Sequence, residues 1–218
     1  MTQKNNKPII IIMTRWPAIG RCKRRLANDI GPTRAAWIQH RLTNHTLSVA
    51  KELKHRGLID LRLGITGISL KIAKRSKCFK GLEIIESQGN GSLGLRMRRL
   101  ILRAQSQNKW NRKTSRKIIL IGSDLPTLCT KDLISSLEAL NHYEMVIGPA
   151  EDGGYWLLGL SSKLLKPVIH WPFCGIPWGS NKVLNTTTKK ADLAGIKYFL
   201  LDKKNDLDQL SDLIPWQA

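Results

Sequence analysis

Residues 117–126 read Lys-Ile-Ile-Leu-Ile-Gly-Ser-Asp-Leu-Pro. Ile118 to Ile121 form a continuous apolar run, too short for a helix and rich in β-branched side chains. That is the pattern of a strand buried on both faces of a parallel sheet. The run stops at Gly122, and Pro126 prevents its continuation as a central strand. Ser123 and Asp124 therefore stand at the carboxyl end of a buried strand, where open α/β sheets bind their ligands. A carboxylate there is a candidate metal or substrate contact; the alternative is an Asp that merely caps a turn.

A second stretch bears on that choice. Met145 to Gly148 is another short apolar strand, and it leads into Pro-Ala-Glu-Asp-Gly-Gly-Tyr-Trp, residues 149–156. Glu151 and Asp152 have no basic neighbour in sequence, and acids without local partners face solvent, a metal or a ligand. Two strand ends, each carrying an acid, are expected to meet at one edge of the sheet.

Outward from these two strands the chain alternates strands with helices. Pro8 to Met13 is read as a first buried strand, and Ile59 to Thr66, Leu82 to Ile85, Tyr155 to Leu160 and Ile196 to Leu201 as further strands. Helical spacing of apolar residues covers Pro32 to His55, and shorter helices are expected over 69–75, 93–104, 131–140 with Thr130 as N-cap, 179–190 and 206–213. Gln105 to Arg116 is a basic surface loop, and Pro172 to Trp178 an aromatic, proline-rich one. The alternation predicts an α/β fold, three layers with a mainly parallel sheet. With 218 residues and no Pro/Gly/Ser-rich linker, a single domain spanning 1–218 is expected.

The first strand runs into Arg15-Trp-Pro-Ala-Ile-Gly20 and then Arg21, Lys23, Arg24 and Arg25. Cations are disfavoured at a helix N-terminus unless an anion is bound there, so strand, loop and basic helix start read as a phosphate site; an ordinary basic surface helix is the alternative. Gly89 to Gly94 fits GxGxxG literally. A dinucleotide site is rejected, because Glu86, Ser87 and Gln88 separate the glycines from their strand and a basic loop occupies the place of the ribose-binding acid.

Composition sets further bounds. The formal net charge is +20, from 36 Lys and Arg against 16 Asp and Glu. The cations are dispersed and no nucleic-acid-binding signature accompanies them, which favours a solvated basic face over a nucleic-acid footprint. Residues 124–152 are locally acidic, with Lys131 alone among six acids, which suits a divalent cation. Four cysteines without a CxxC pair or zinc spacing read as reduced thiols, and the run Ile9 to Met13 is too short for a signal or a membrane span. A cytoplasmic protein is expected.

These segments resemble the bacterial family of unknown-function type 2064 (DUF2064), whose members are labelled glycosyltransferases of GT-A (nucleotide-diphospho-sugar transferase) fold. The family loop KxPxxGxxKTRL is similar to Arg15, Pro17, Gly20, Lys23, Arg24, Arg25 and Leu26, with Arg at the first Lys and at the Thr. GxLGxRM is similar to Gly91, Leu93, Gly94, Arg96 and Met97; GSDxPxL to 122–128; GPAxDGGYxLxGL to 148–160; and IxWGxxxVxxxT to Ile176, Trp178, Gly179, Val183 and Thr187. The related DxDTxxDL element appears as Asp202-Lys-Lys-Asn-Asp-Leu-Asp208, with Lys where an acid is expected, leaving Asp206 and Asp208 to compensate.

The resemblance implies a GT-A domain that moves a sugar from a nucleotide-sugar donor to a small-molecule acceptor. Arg15, Gly20, Lys23, Arg25, Arg96 and Ser123 are then the nucleotide and phosphate residues. Asp124 is the ligand of Mg²⁺ or Mn²⁺, and Asp152, with Glu151, the catalytic group that faces the acceptor as general base or stabilises the sugar cation. Two other readings stay open: a nucleotidyltransferase on the same fold, joining an NTP to a phosphorylated small molecule, and a non-catalytic nucleic-acid-binding protein resting on charge alone.

Overall fold

The computed structural model describes residues 7–106, 115–165 and 172–216. Its seven-stranded sheet is built from β1 (Ile9–Arg15), β2 (Asp60–Thr66), β3 (Ile84–Ser87), β4 (Ile118–Ile121), β5 (Met145–Pro149), β6 (Tyr155–Leu160) and β7 (Tyr198–Leu200). The order across the sheet is β3-β2-β1-β4-β6-β5-β7. All pairings are parallel except those of β6, which runs antiparallel to both β4 and β5.

Alternation of isoleucines explains why β1 sits in the interior of the sheet. Ile10 and Ile12 enter one core with Leu47, Leu53 and Leu133, while Ile9 and Ile11 enter a second core with Met97, Leu100 and Ile101. Both faces of the strand are thus covered, which an uninterrupted β-branched run requires. The first layer consists of α2 (Pro32–His55), α3 (Leu70–Arg75) and α5 (Thr130–Ala139), and the second of α4 (Leu93–Ser106) and α6 (Val183–Leu193). A short α1 (Arg24–Ile30) packs beside α2 through Leu26 and Leu42, and a 3₁₀ turn at Leu210–Trp216 closes the described chain.

The fold is the expected three-layer α/β type, with boundary differences that have local causes. Cys129, not Thr130, precedes the first turn of α5, because the Asp132 carboxylate accepts from the Cys129 N–H at 2.8 Å. The helix expected from Gly179 begins at Val183, since Ser180 is held in a turn by its hydroxyl donating to the Pro177 carbonyl. The segment expected as a last helix over 206–213 has no regular structure at first and coils into a 3₁₀ turn only from Leu210. Of the expected loop 105–116, Gln105 and Ser106 belong to α4, and 107–114 lie outside the described residues.

Polar alternation in β2 misleads. Asp60, Arg62 and Gly64 alternate with apolar residues, yet Arg62 is only 4% exposed and lies 3.9 Å from Glu86 on β3. The reason is Gly64: a Cβ there would meet Leu100 at 2.4 Å, so α4 lies directly on this face. Burial accordingly lowers the Arg62 pKa.

The chain leaves β1 toward β2 and β3 on one side and returns to β4 on the other. The crevice between the carboxyl ends of β1 and β4 is therefore the topological switch point of the sheet. Among the described residues no helix is long and apolar enough to cross a membrane.

Candidate active site

Three cavities meet at the switch point, and Asp124 lines all of them. The first, about 340 Å³, is walled by Met13, Leu93, Met97, Leu120 and Leu158, with Arg15, Arg96 and Asp206 among its polar residues. A second, about 220 Å³, is bordered by the cations Arg15, Arg21, Lys23 and Arg24 together with Gln39 and Ser123. The third, about 420 Å³, collects Asp152, Glu151, Asp206, Asp208 and Asp212 around Lys23 and Arg25.

Asp124 reaches this junction because β4 ends at Ile121 and the next residues turn over the sheet edge. Its backbone carbonyl accepts from the Leu207 N–H at 3.0 Å, which ties the C-terminal segment across the site. The Ser123 hydroxyl, 2% exposed, bonds Thr14 at 2.8 Å and receives the Gln39 amide at 3.3 Å; Thr43 joins the same network through Thr14. These buried polar groups fix the loop from below and satisfy one another.

Lys23 has φ 47° and is the one non-glycine residue with positive φ among the described residues. That left-handed turn, which costs a side-chain-bearing residue about 1 kcal/mol or more, directs the lysine inward. Its ammonium, 3% exposed, lies 2.9 Å from Asp124 Oδ1 and donates to the Leu207 carbonyl. That ion pair occupies the buried Oδ1, while the rest of the Asp124 side chain, 46% exposed, is open to the cavities.

The other expected site residues distribute as follows. Arg25 pairs with Asp208 at 3.2 Å on the rim of the acidic cavity. The Arg96 guanidinium borders the apolar cleft and donates to the Gly91 carbonyl at 2.9 Å. Gly20, at φ 71°, forms the turn before Arg21 and lines none of the three cavities. Asp152 projects from the turn after β5, with Oδ1 accepting from the Gly154 N–H at 2.8 Å and the second oxygen left for the cavity. Glu151, alone in sequence, finds a cation in space: Lys203 pairs with it.

Sequence reasoning gave Asp206 a minor place, and the structure brings it to the centre. It lines both the apolar and the acidic cavity, and its pKa is pushed up to about 7, first by burial and then by the Asp124 charge, with Asp152 and Asp208 adding to it and Lys23 opposing. Gln39 and Thr43 were missed altogether. Their signal was present as polar residues on the inward stripe of α2, among Ala35, Ala36, Leu42 and Thr46.

The donor set suits a hard divalent cation in one specific way. Among the described residues no three Asp, Glu, His or Cys side chains converge as a self-sufficient metal cage. The open side of the Asp124 carboxylate next to Asp206, whose charged form burial and the Asp124 charge disfavour when no cation lies between them, instead matches the habit of Mg²⁺-type ions, which take one or two carboxylates and complete their shell with substrate phosphates.

The model of the family described as uncharacterized protein conserved in bacteria (DUF2064) matches residues 49–180. Among solved structures, a candidate nucleotide-diphospho-sugar transferase from Desulfovibrio desulfuricans G20 is 26% identical, with TM-score 0.80 over 95% of this chain and 85% of that one. The 4-diphosphocytidyl-2C-methyl-D-erythritol synthase of Anaerococcus prevotii is 12% identical, with TM-score 0.59 over 96% of each chain. CMP:2-keto-3-deoxy-manno-octonic acid synthetase complexed with CTP is 13% identical, with TM-score 0.55 over 97% of each. The last two share the fold. No curated protein matches the chain.

Proposed function

The chain belongs to the bacterial DUF2064 family, and from that premise we propose that it is a metal-dependent transferase moving a sugar from a nucleoside diphosphate sugar to a small-molecule acceptor. In this reading a single domain over residues 1–218 carries the whole reaction. The observation that supports it is the convergence of an apolar, a basic and an acidic cavity on Asp124. The apolar cleft has the character required by a nucleoside, the basic one that required by phosphates, and the acidic one that required by a sugar and its incoming hydroxyl.

Arg15 and Lys23 then receive the diphosphate, with Arg25 and Arg96 at the margins, and Gly20 and Ser123 shape the loops that bring them there. Asp124 and Asp206 would hold Mg²⁺ or Mn²⁺ together with diphosphate oxygens. When bound, such an ion offsets the charge that builds on the departing diphosphate. Asp152 accepts the proton of the acceptor hydroxyl as that oxygen bonds to the anomeric carbon; the bond from the same carbon to the phosphate oxygen breaks, and the nucleoside diphosphate leaves. Glu151, engaged by Lys203, orients the turn that carries Asp152.

Incubating the purified chain with a panel of nucleotide sugars and Mn²⁺ tests this. Donor-dependent release of nucleoside diphosphate is expected. Asp152→Asn should cut it by about 10²-fold or more while leaving donor-induced thermal stabilisation intact. Release of pyrophosphate from an NTP and a sugar phosphate, with no diphosphate from any nucleotide sugar, would identify a nucleotidyltransferase instead.

A further inference from the structure

One charged surface plays no part in that chemistry. From Leu61 to Leu82 the sequence holds no acid, and Lys71, Lys74, Arg75, Lys77 and Lys80 are all exposed. In the midst of these cations Ile72 is 56% exposed. The segment adjoins one face of α2. Cys78 Sγ lies 3.7 Å from His40 Nδ1, and the Lys51 ammonium donates to the Lys80 carbonyl at 3.0 Å. One turn from His40, Trp37 is 58% exposed, with the Arg41 guanidinium 4.8 Å from its ring centroid and Arg34 on the same helical face. The nearby acids Glu52 and Glu83 are already paired, with Arg56 and Lys54.

We infer that this face, residues 71–80 with the Arg34, Trp37 and Arg41 stripe of α2, docks the protein on the surface of an anionic lipid bilayer. Lysines and arginines flanking an exposed isoleucine on one segment and an exposed indole on the adjoining helix are the composition of an interfacial membrane contact: the cations meet headgroup phosphates and the apolar side chains enter the acyl boundary. A nucleic-acid partner accounts for the charge but not for the rest. Ile72 has no base-reading or phosphate-binding chemistry, and Arg41 already covers one face of the exposed indole of Trp37. The docked face lies beside the substrate loop, because Phe79 packs edge-on against Trp16 with centroids 6.0 Å apart, and Trp16 directly follows Arg15.

Sedimentation with phosphatidylcholine vesicles, with and without phosphatidylglycerol, measures the binding, and poly(U) serves as the competing polyanion. The full chain should bind only the phosphatidylglycerol-containing vesicles and release them at high salt. Each cation near an anionic surface contributes about 1 kcal/mol, roughly a fivefold change, so Lys71→Glu/Lys74→Glu/Arg75→Glu should weaken binding about a hundredfold. Trp37→Ala should weaken vesicle binding severalfold. The control Lys182→Glu/Lys189→Glu/Lys197→Glu has the same net charge but is altered in a different part of the chain, and it should retain binding. Equal loss in the control would show that net charge alone is responsible and overturn the assignment. Absence of vesicle binding by the unaltered chain, or tighter binding to poly(U) that is lost in the same triple variant, would overturn it as well.

Discussion

At the scale of single residues, the Lys23–Asp124 pair decides how variants of this site should be read. Lys23 is almost fully buried while the Asp124 side chain is 46% exposed, so the lysine depends on the pair more than the aspartate does. Removing one member of a fully buried pair costs about 3–5 kcal/mol, and water reaching the Asp124 side reduces that figure to roughly 2 kcal/mol. Asp124→Asn should therefore lower the urea-unfolding free energy by about that amount, and adding Lys23→Met should restore part of it. Additive losses in the double variant would show that the two groups are not energetically coupled. A second residue-scale prediction concerns Asp206. Its carboxyl is raised from an ordinary 3.8 to about 7 in the folded protein. Between those values the native state holds a proton that the unfolded chain has released, so this group's contribution to stability is present at low pH and is lost as pH rises through the window. In metal-free buffer, the stability of Asp206→Asn relative to the unaltered protein should climb between about pH 4 and pH 7. A difference independent of pH would mean that the carboxyl titrates normally.

At the scale of elements, two glycines from the two signature strand ends behave oppositely. Gly153 has φ 83°, and a Cβ on it would lie 2.2 Å from the Asn181 carbonyl oxygen, against backbone that has no rotamer to give. The same turn accepts the Leu184 N–H at 2.9 Å, so the acidic turn after β5 and the start of α6 are locked together. Gly153→Ala should cost about 2 kcal/mol or more, from the backbone conformation alone plus the clash. Gly122, in the turn after β4, has nothing within 4 Å of a Cβ, and Gly122→Ala should stay within about 0.5 kcal/mol. Chemical denaturation of both variants tests the contrast, and equal costs would refute it. Neither difference is visible in the sequence, where both glycines are simply turn residues. Strands β4 and β6 and helix α2 were legible to the residue, because each carries its own periodicity and its own terminators. The start of α6 and the inward Arg62 were not, because a hydroxyl in a turn and the absence of a side chain at Gly64 decide them from across the fold.

At the scale of the whole molecule, the site was legible as two strand ends but not as a junction. Asp124, Asp152, Lys23 and Arg25 do border one cavity, yet Asp206 and the Lys203 partner of Glu151 arrive from the C-terminal segment, about 80 residues after Asp124 in the sequence. That long return is set by β7 pairing beside β5, a choice that local patterning does not encode. The charge of the whole chain leads to the last prediction. With +20 net charge and only 16 acids, most cations have no acid available, and several acids are held in the site itself. Repulsion among exposed cations is then the dominant long-range term, and it opposes compactness. At 0.1 M salt the screening length is about 10 Å and at 1 M about 3 Å, so added NaCl removes repulsion between neighbours faster than it weakens the closely paired Lys23 and Asp124. The thermal midpoint should rise with NaCl over this range, and choline chloride should raise it equally, since screening depends on ionic strength and not on the cation. A midpoint that falls with salt would mean that the exposed ion pairs, such as Arg25 with Asp208, stabilise the fold by more than the surplus charge destabilises it.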